Sequence, residues 1–363
     1  MSCELPKLSQ KRIPKLMAPI NSFDGGMKVV DAGADEVYCA VQISELKDFV
    51  LYRGASSELP TYSEFGKIVK YAHNHGVKVP LVINWPYMVE TIEKPIKKHI
   101  SRCIAEGADA LIIGDLGILA IIKDMKLNVP LYASTYMISM NSKAVAFLEK
   151  VGFKRVILER HLTLSEVSKI VEKSNIGIEV LIHGGGCSNI NGSCHLYHYH
   201  VYYNSAKLQN ALRQSLAGTP CAIKFNLYNV RNIEEKFENV PVMDAFGYCS
   251  ICNLPDLVRT GVESLKIEGR TSTTWYQIAT TTVYRELLNL LAQGQTEAYK
   301  KRVDELKTGM PVSDPTPTGF CTHKEIFCDL GRCYFSPLTH VPYDIPVSWQ
   351  TWTKQHFKLV VQK

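Results

Sequence analysis

The sequence predicts an α/β fold: a (β/α)8 TIM-like barrel with a long cysteine-rich excursion between its seventh and eighth strands and a C-terminal appendage. Three observations carry this expectation. Short β-branched runs alternate with helical stretches of roughly 10–15 residues, the pattern of parallel β/α units. A glycine repeatedly ends one helix just before the next strand begins. The alternation lapses in only two places, between residues 185 and 250 and after about residue 308.

Eight segments read as barrel strands: KLMAPI (15–20), EVYCAV (36–41), VKVPLVIN (77–84), ALIIGD (110–115), PLYAS (130–134), RVILER (155–160), IEVLIHG (178–184) and SLKIEGR (264–270). Five are led in by Gly33, Gly76, Gly107, Gly152 or Gly261, the residue a helix C-cap needs for its left-handed turn. Eight such units close naturally into a ring. A doubly wound open sheet is the alternative, but no G-x-G-x-x-G follows the first strand. Thr61 to Glu64 and Thr163 to Glu166 read as capping boxes at helix starts. Gly25 and Gly26 open the first helix, where a capped turn is favoured over a phosphate site. Residues 1–295 are expected to form the barrel with its insertion at 185–250. Residues 296–363 are expected to add a helix and an irregular tail bearing Cys321, Cys328 and Cys333.

The net charge of +6 suits an anionic small molecule or RNA without amounting to a polybasic arm. No run approaches the ~20 apolar residues of a membrane span, and the first residues lack a signal-peptide core. A cytoplasmic location is therefore expected. Eleven cysteines in such a chain point to metal or redox chemistry rather than a disulfide framework. Eight of them lie at or after Cys187.

Reactive groups of these barrels sit where the strands end. Here apolar runs end in Asn84, Asp115, Ser134, Thr135, Glu159, Arg160, His183, Glu268 and Arg270, which together describe a polar mouth. The excursion starts directly behind His183. Cys187 and Cys194 open it, Cys221 lies within it and Cys249 closes it. Four thiolates are the usual ligands of an iron–sulfur cluster or a structural zinc, and the spacing leaves both open. Cys252 and Cys39 compete as ligands. The segment around His195, His198 and His200, rich in tyrosine, reads as an edge packing on the barrel ahead of a metal or base-stacking site.

Several motifs resemble peptidase family U32, also called collagenase-like. LMAPINSFDGGMKVVDAGADEVYCA is similar to the family's opening segment. IEVLIHGGGCSNINGSC resembles its HG-x-x-C-x-x-x-x-G-x-C motif, and CSICNLPDLVRTGVESLKIEGR resembles C-L-I-D-H-L-P…G-V-D-S-L-K-I-E-G-R. The resemblance covers about residues 14–290. It implies an oxygen-independent hydroxylase or related oxidoreductase acting on RNA or on a small aromatic metabolite. It implies a [4Fe–4S] cluster on Cys187, Cys194, Cys221 and Cys249, with prephenate or another small carboxylate as co-substrate. It also implies a heteromeric partner of the same family or an electron donor. Arg160, Lys266, Arg270 and Asn84 would bind substrate, Arg holding a carboxylate bidentately, and His183 and Glu268 would serve as acid and base. The chain departs from the family at Ser193, at Cys221–Phe225 where a second cysteine is absent, and at Cys252 where the family has aspartate.

Two other readings stand beside the hydroxylase. One is a peptidase, cysteine- or metal-dependent, with Cys187 and His183 as a nucleophile pair; no H-E-x-x-H or G-x-S-x-G supports it. The other is a cluster-binding subunit of a heteromeric hydroxylase.

Overall fold

The computed structural model describes residues 13–43, 58–84, 90–187, 189–194, 225–229, 232–240, 247–308, 327 and 334–335. Seven strands and six helices alternate first. They are β1 (Lys15–Pro19), α1 (Phe23–Asp31), β2 (Glu36–Tyr38), α2 (Tyr62–Asn74), β3 (Pro80–Ile83), α3 (Glu93–Ala105) and β4 (Ala110–Ile113). There follow α4 (Leu116–Asp124), β5 (Leu131–Ala133), α5 (Ser142–Lys150), β6 (Arg155–Ile157), α6 (Leu164–Glu172) and β7 (Gly177–Gly185). Within the excursion lie β8 (Phe225–Asn229), β9 (Asn232–Val240) and β10 (Gly247–Cys249). Helix α7 (Leu254–Thr260), strand β11 (Ser264–Ile267), helix α8 (Thr274–Ala292) and helix α9 (Thr296–Thr308) complete the described strands and α-helices.

The eight expected strands form the wall, with β11 as the eighth. Their order is β2-β1-β11-β7-β6-β5-β4-β3, every neighbouring pair parallel. Parallel bridges from Glu36 to Lys78 and from Cys39 to Leu81 join β2 to the β3 segment and close the ring. The five lead-in glycines all sit at positive φ, between 71° and 108°, as left-handed helix ends require. Thr163 and Glu166 form the full reciprocal capping box of α6, and the Thr61 hydroxyl accepts the Glu64 amide at the start of α2 (3.1 Å). Ser22 caps α1 on the Gly25 amide (3.2 Å), so the paired glycines there serve a capped turn.

Alternation along the strands splits the apolar residues into two bodies. Met17, Tyr38, Val82, Ile112, Tyr132 and Ile157 fill the barrel interior. Leu16, Val37, Leu111, Val156 and Leu265 face the surrounding helices.

The lower interior is not apolar. Arg155 at the start of β6 is buried and reaches three carboxylates. Its guanidinium bonds Glu36 through both terminal nitrogens, Glu179 at 3.0 Å and Glu263 at 2.6 Å. It also lies 4.2 Å from the Tyr132 ring centroid. Lys15 joins Glu263 (3.1 Å) and Glu36 (3.5 Å), and Lys266 joins Glu179 (3.2 Å). Three cations thus face three carboxylates, which is how charges survive away from water.

The excursion returns along β7. Strand β10 pairs with it antiparallel, Cys249 opposite His183 and Tyr248 opposite Gly184. Strands β8 and β9 form a separate antiparallel hairpin that the sequence analysis did not anticipate. Helix α8 covers this side of the barrel through Tyr284. That hydroxyl donates to the Ile182 carbonyl (2.8 Å) and accepts the Ser250 amide (3.0 Å). Beyond α9, the described residues Phe327, Tyr334 and Phe335 are buried against the core. Tyr334 bonds the Gly184 carbonyl, and its amide reaches the Cys249 carbonyl (3.3 Å). Cys321, Cys328, Cys333 and the segment with His195, His198 and His200 lie outside the described residues. No helix among the described residues is long and apolar enough to cross a membrane.

Candidate functional site

A cleft of about 500 Å3, counting the part open to solvent, occupies the C-terminal mouth of the barrel. Its floor is apolar, from Val82, Ile112, Ile157 and Leu181; its walls carry Tyr38, Asn84, Ser134, Asn191, Lys266, Glu268 and Arg270. An apolar hollow with a few convergent polar groups is the usual form of a small-molecule site. Lys266 comes from β11, and Glu268 and Arg270 from the segment that follows it; all three line the cleft.

Lys266 is buried where β11 meets the interior. Its Nζ sits 3.2 Å from Glu179 Oε1, 3.2 Å from the Met17 sulfur and 3.9 Å from the Tyr38 ring centroid. Burial pulls its ammonium below the ordinary lysine range, and Glu179 only partly opposes this. The Arg270 Nη1 is buried and has no hydrogen-bond partner among the described residues. Its charge is felt by Glu58, whose carboxyl burial raises while Arg270 lowers it. A cationic nitrogen left open at a cleft favours an anionic ligand.

Asn84 donates to the Ser134 hydroxyl (3.2 Å). Asp115 does not serve the cleft: its carboxylate caps α4 on the Gly117 and Ile118 amides. Arg160 bonds the side chain of the cleft residue Asn191 and lies 3.6 Å from Glu159. Burial opposes its charge, but Glu268, Tyr334, Glu159 and Cys187 outweigh burial and hold its pKa above the usual value.

His183 is not among the residues lining the cleft. It is buried in the wall on the α8 side, its Nδ1 3.1 Å from the Tyr284 hydroxyl. Its ring packs on Phe327 (centroids 5.0 Å apart), Tyr284 and Tyr276. The physical reason is a register shift. Lys266 pairs with Leu181 but Ile267 pairs with His183, so β7 carries one extra residue there. Such a bulge re-aims the side chains beyond it.

The histidine that does reach the cysteine loop is His161, which the sequence analysis passed over. Its Nδ1 is 3.1 Å from Glu159 Oε1, and its Nε2 is 2.9 Å from the Cys187 carbonyl oxygen. Glu159 also accepts the Asn191 amide (3.3 Å). Glu159 and His161 together pin the start of the excursion to the end of β6. The signal was present as Glu-Arg-His directly after the sixth strand.

The thiols are distributed unevenly. Asn189 joins two of them: its amide donates to the Cys187 sulfur (3.4 Å) and its side chain to the Cys194 sulfur (3.9 Å). Donors aimed at sulfur suit thiolate ligands of a cluster, whose potential such bonds tune. Cys249 is buried in the outer core, close enough to raise the Tyr284 and Tyr276 hydroxyl pKa values beyond what burial alone does. Cys252 is half-buried beside Tyr299. Cys39 is buried, and burial pushes its thiol up to about 12. Cys221 lies outside the described residues. Among the described residues no three His, Cys, Asp or Glu side chains come together as a metal-holding group. The pair at Cys187 and Cys194 fits a thiolate-held metal, and the described residues supply that much of a ligand set.

Two glycines make the junction sterically feasible. Gly184 adopts φ +83°, and a Cβ there would meet the Glu268 carbonyl oxygen at 2.9 Å. A Cβ at Gly186 would fall 1.2 Å from the Tyr248 ring.

The chain builds a barrel with a polar carboxyl-end cleft and a paired-thiol loop on its rim, and comparison with known proteins gives its family. Residues 21–325 match Peptidase family U32, and the chain belongs to that family. It is 29% identical over 304 residues to an uncharacterized protease of Methanocaldococcus jannaschii, covering 80% of this chain and 70% of that one. It is 27% identical over 282 residues to the 23S rRNA 5-hydroxycytidine C2501 synthase of Escherichia coli, covering 77% of this chain but 40% of the relative. It is 25% identical over 329 residues to the tRNA hydroxylation protein P of Escherichia coli, covering 78% of this chain and 69% of the relative.

Proposed function

We propose that this chain is an oxygen-independent RNA hydroxylase that works in the cytoplasm. It would hold a [4Fe–4S] cluster at the rim of the barrel and a small carboxylate co-substrate, such as prephenate, in the cleft. The observation that carries the reading is the adjacency of three features. They are the Cys187–Asn189–Cys194 group, the Glu159–His161 clamp beneath it, and the cleft with the open Arg270 nitrogen. Two relatives named for hydroxylation of ribosomal and transfer RNA support the substrate class.

Cys187, Cys194, Cys221 and Cys249 would hold the cluster, which supplies Lewis acidity or one-electron transfer when bound. The chain's own groups do the rest. Arg270 binds the carboxylate of the small acid, and Arg160 fixes Asn191 against the cleft wall. Glu268 lines the mouth of the cleft, where it is placed to take or return a proton. His183 orients the wall through Tyr284.

The peptidase reading draws less support. A thiol nucleophile needs a base within reach of its sulfur. The histidine next to Cys187 bonds its backbone carbonyl, while His183 is committed to the aromatic cluster behind the wall.

The test is a comparison of hydrolysed total RNA from cells with and without the gene, read by nucleoside mass spectrometry. The proposal expects one hydroxylated pyrimidine nucleoside to vanish and to return with the intact gene, but not with Arg270→Gln. An unchanged nucleoside profile in ribosomal and transfer RNA would sink it.

A further inference from the structure

We propose that Lys266 captures carbonyl compounds. Its amine condenses with the oxo group of a small oxo acid whose carboxylate rests on Arg270. The inference deepens the carboxylate reading of the cleft and rests on it, but needs neither RNA nor a metal.

Several features of the cleft point the same way. Lys266 is buried yet lines the open cleft, so it meets ligand space where little water competes. Arg270, three residues past the end of β11, lines the same cleft, and its buried Nη1 has no hydrogen-bond partner among the described residues. The Arg270 charge is near enough to act on the Lys266 ammonium, so the two cations can meet opposite ends of one small oxo acid. Lys266 also lies 3.2 Å from a carboxylate that can relay its proton, Glu179 Oε1. Burial holds the ammonium below the lysine range, which raises the fraction of free amine.

The step balances without any oxidant or reductant. Glu179 takes one proton from the ammonium, and the freed nitrogen lone pair forms a bond to the carbonyl carbon. The carbonyl oxygen receives that proton and becomes the hydroxyl of a carbinolamine. A second proton from the same nitrogen passes to that hydroxyl, the C–O bond breaks and water leaves. Of the three N–H protons, two depart with the water and one stays on a positively charged iminium. The charge at this position is unchanged, so the Glu179 pair and the Tyr38 ring contact serve the product as they serve the ammonium. This is why a carboxylate-paired lysine inside a barrel can undergo the reaction without leaving Glu179 uncompensated.

The experiment uses the full chain with pyruvate as probe and sodium cyanoborohydride to reduce any iminium, followed by peptide mass spectrometry. The expected product is a Lys266 peptide heavier by pyruvic acid less one oxygen. It should form at least tenfold faster than the same adduct at the half-buried Lys97 or the exposed Lys300. Lactate, which has the carboxylate but no carbonyl, should slow labelling by competition. Lys266→Arg keeps the charge and should abolish this adduct, while circular dichroism confirms the fold. Labelling of Lys266 no faster than of Lys97 would overturn the proposal. If pyruvate and lactate both raise the melting temperature while Lys266 stays unlabelled, the imine is refuted and the carboxylate site survives. If neither compound binds, both readings fail together.

Discussion

Replacing Arg155 by methionine removes the central cation of the barrel interior. In the intact protein Arg155, Lys15 and Lys266 balance Glu36, Glu179 and Glu263, and both Glu36 and Glu179 are essentially inaccessible. The variant keeps three carboxylates against two cations. Removing one partner of a buried pair costs about 3–5 kcal/mol, because the charge left behind has lost its solvation. Methionine fills much of the vacated volume, so the loss is electrostatic more than steric. For a chain of this size that corresponds to a fall in Tm of roughly 4–7 °C. The pH dependence separates this account from a packing defect. One carboxylate in the variant relieves the imbalance by keeping a proton, so its folded pKa lies above the unfolded value of ~4.3. Stability from such a group is fully present below the unfolded pKa and is lost as pH rises through the folded one. The deficit against the unsubstituted protein should therefore widen between pH 5 and pH 8. In the unsubstituted protein Glu263 runs the other way. Burial pushes its carboxyl up, but Arg155 and Lys15 outweigh burial and hold it below the ordinary value. Its contribution is present above ~pH 4.3 and lost as pH falls through the depressed pKa. Urea unfolding of both proteins at pH 5, 6, 7 and 8 measures the effect. A loss under about 1 kcal/mol, or one constant across that range, would refute the reasoning.

Three other substitutions test the junction and the cleft. Gly184→Ala should lose about 1–3 kcal/mol in urea unfolding, since the residue is held at φ +83° against the Glu268 carbonyl. Tyr284→Phe leaves the Ser250 amide without its acceptor and should lose about 1–3 kcal/mol. Its near-ultraviolet dichroism should change as the His183 cluster loosens. Arg270→Gln should weaken binding of small carboxylates at least tenfold by calorimetry, about 1.4 kcal/mol or more, with little change in Tm.

Much of the barrel was legible because its local and global signals agree. The lead-in glycines, the β-branched runs and the Thr163–Glu166 cap each specify the same alternation, and all appear as expected. Glu268 and Arg270 were legible as the polar end of the eighth apolar run, and Lys266 through the family motif that contains it; all three line the cleft. His183 was expected at the rim because it closes the seventh apolar run, but a bulge that sequence does not mark turns it away from the cleft. Asp115 looked like a rim residue, but an aspartate before a helix is equally a cap, and the cap prevailed. The carboxylates Glu36, Glu179 and Glu263 went unread since each, taken alone, resembles a solvated strand end. Their pairing with Arg155 spans up to 119 positions in sequence, a contact that periodicity cannot report. The β8–β9 hairpin was missed because its polar, asparagine-rich strands lack an apolar alternation.

The central claim is that the thiols at the rim hold an iron–sulfur cluster, and metal and sulfide content measures it most directly. After anaerobic reconstitution and desalting, the full chain should carry about four iron and four acid-labile sulfide per chain and absorb broadly in the visible region. Cys194→Ser should lose most of that iron, while Cys103→Ser, whose sulfur is buried in the outer core, should retain it. A chain that binds no iron, or two variants that retain equal amounts, would contradict the account.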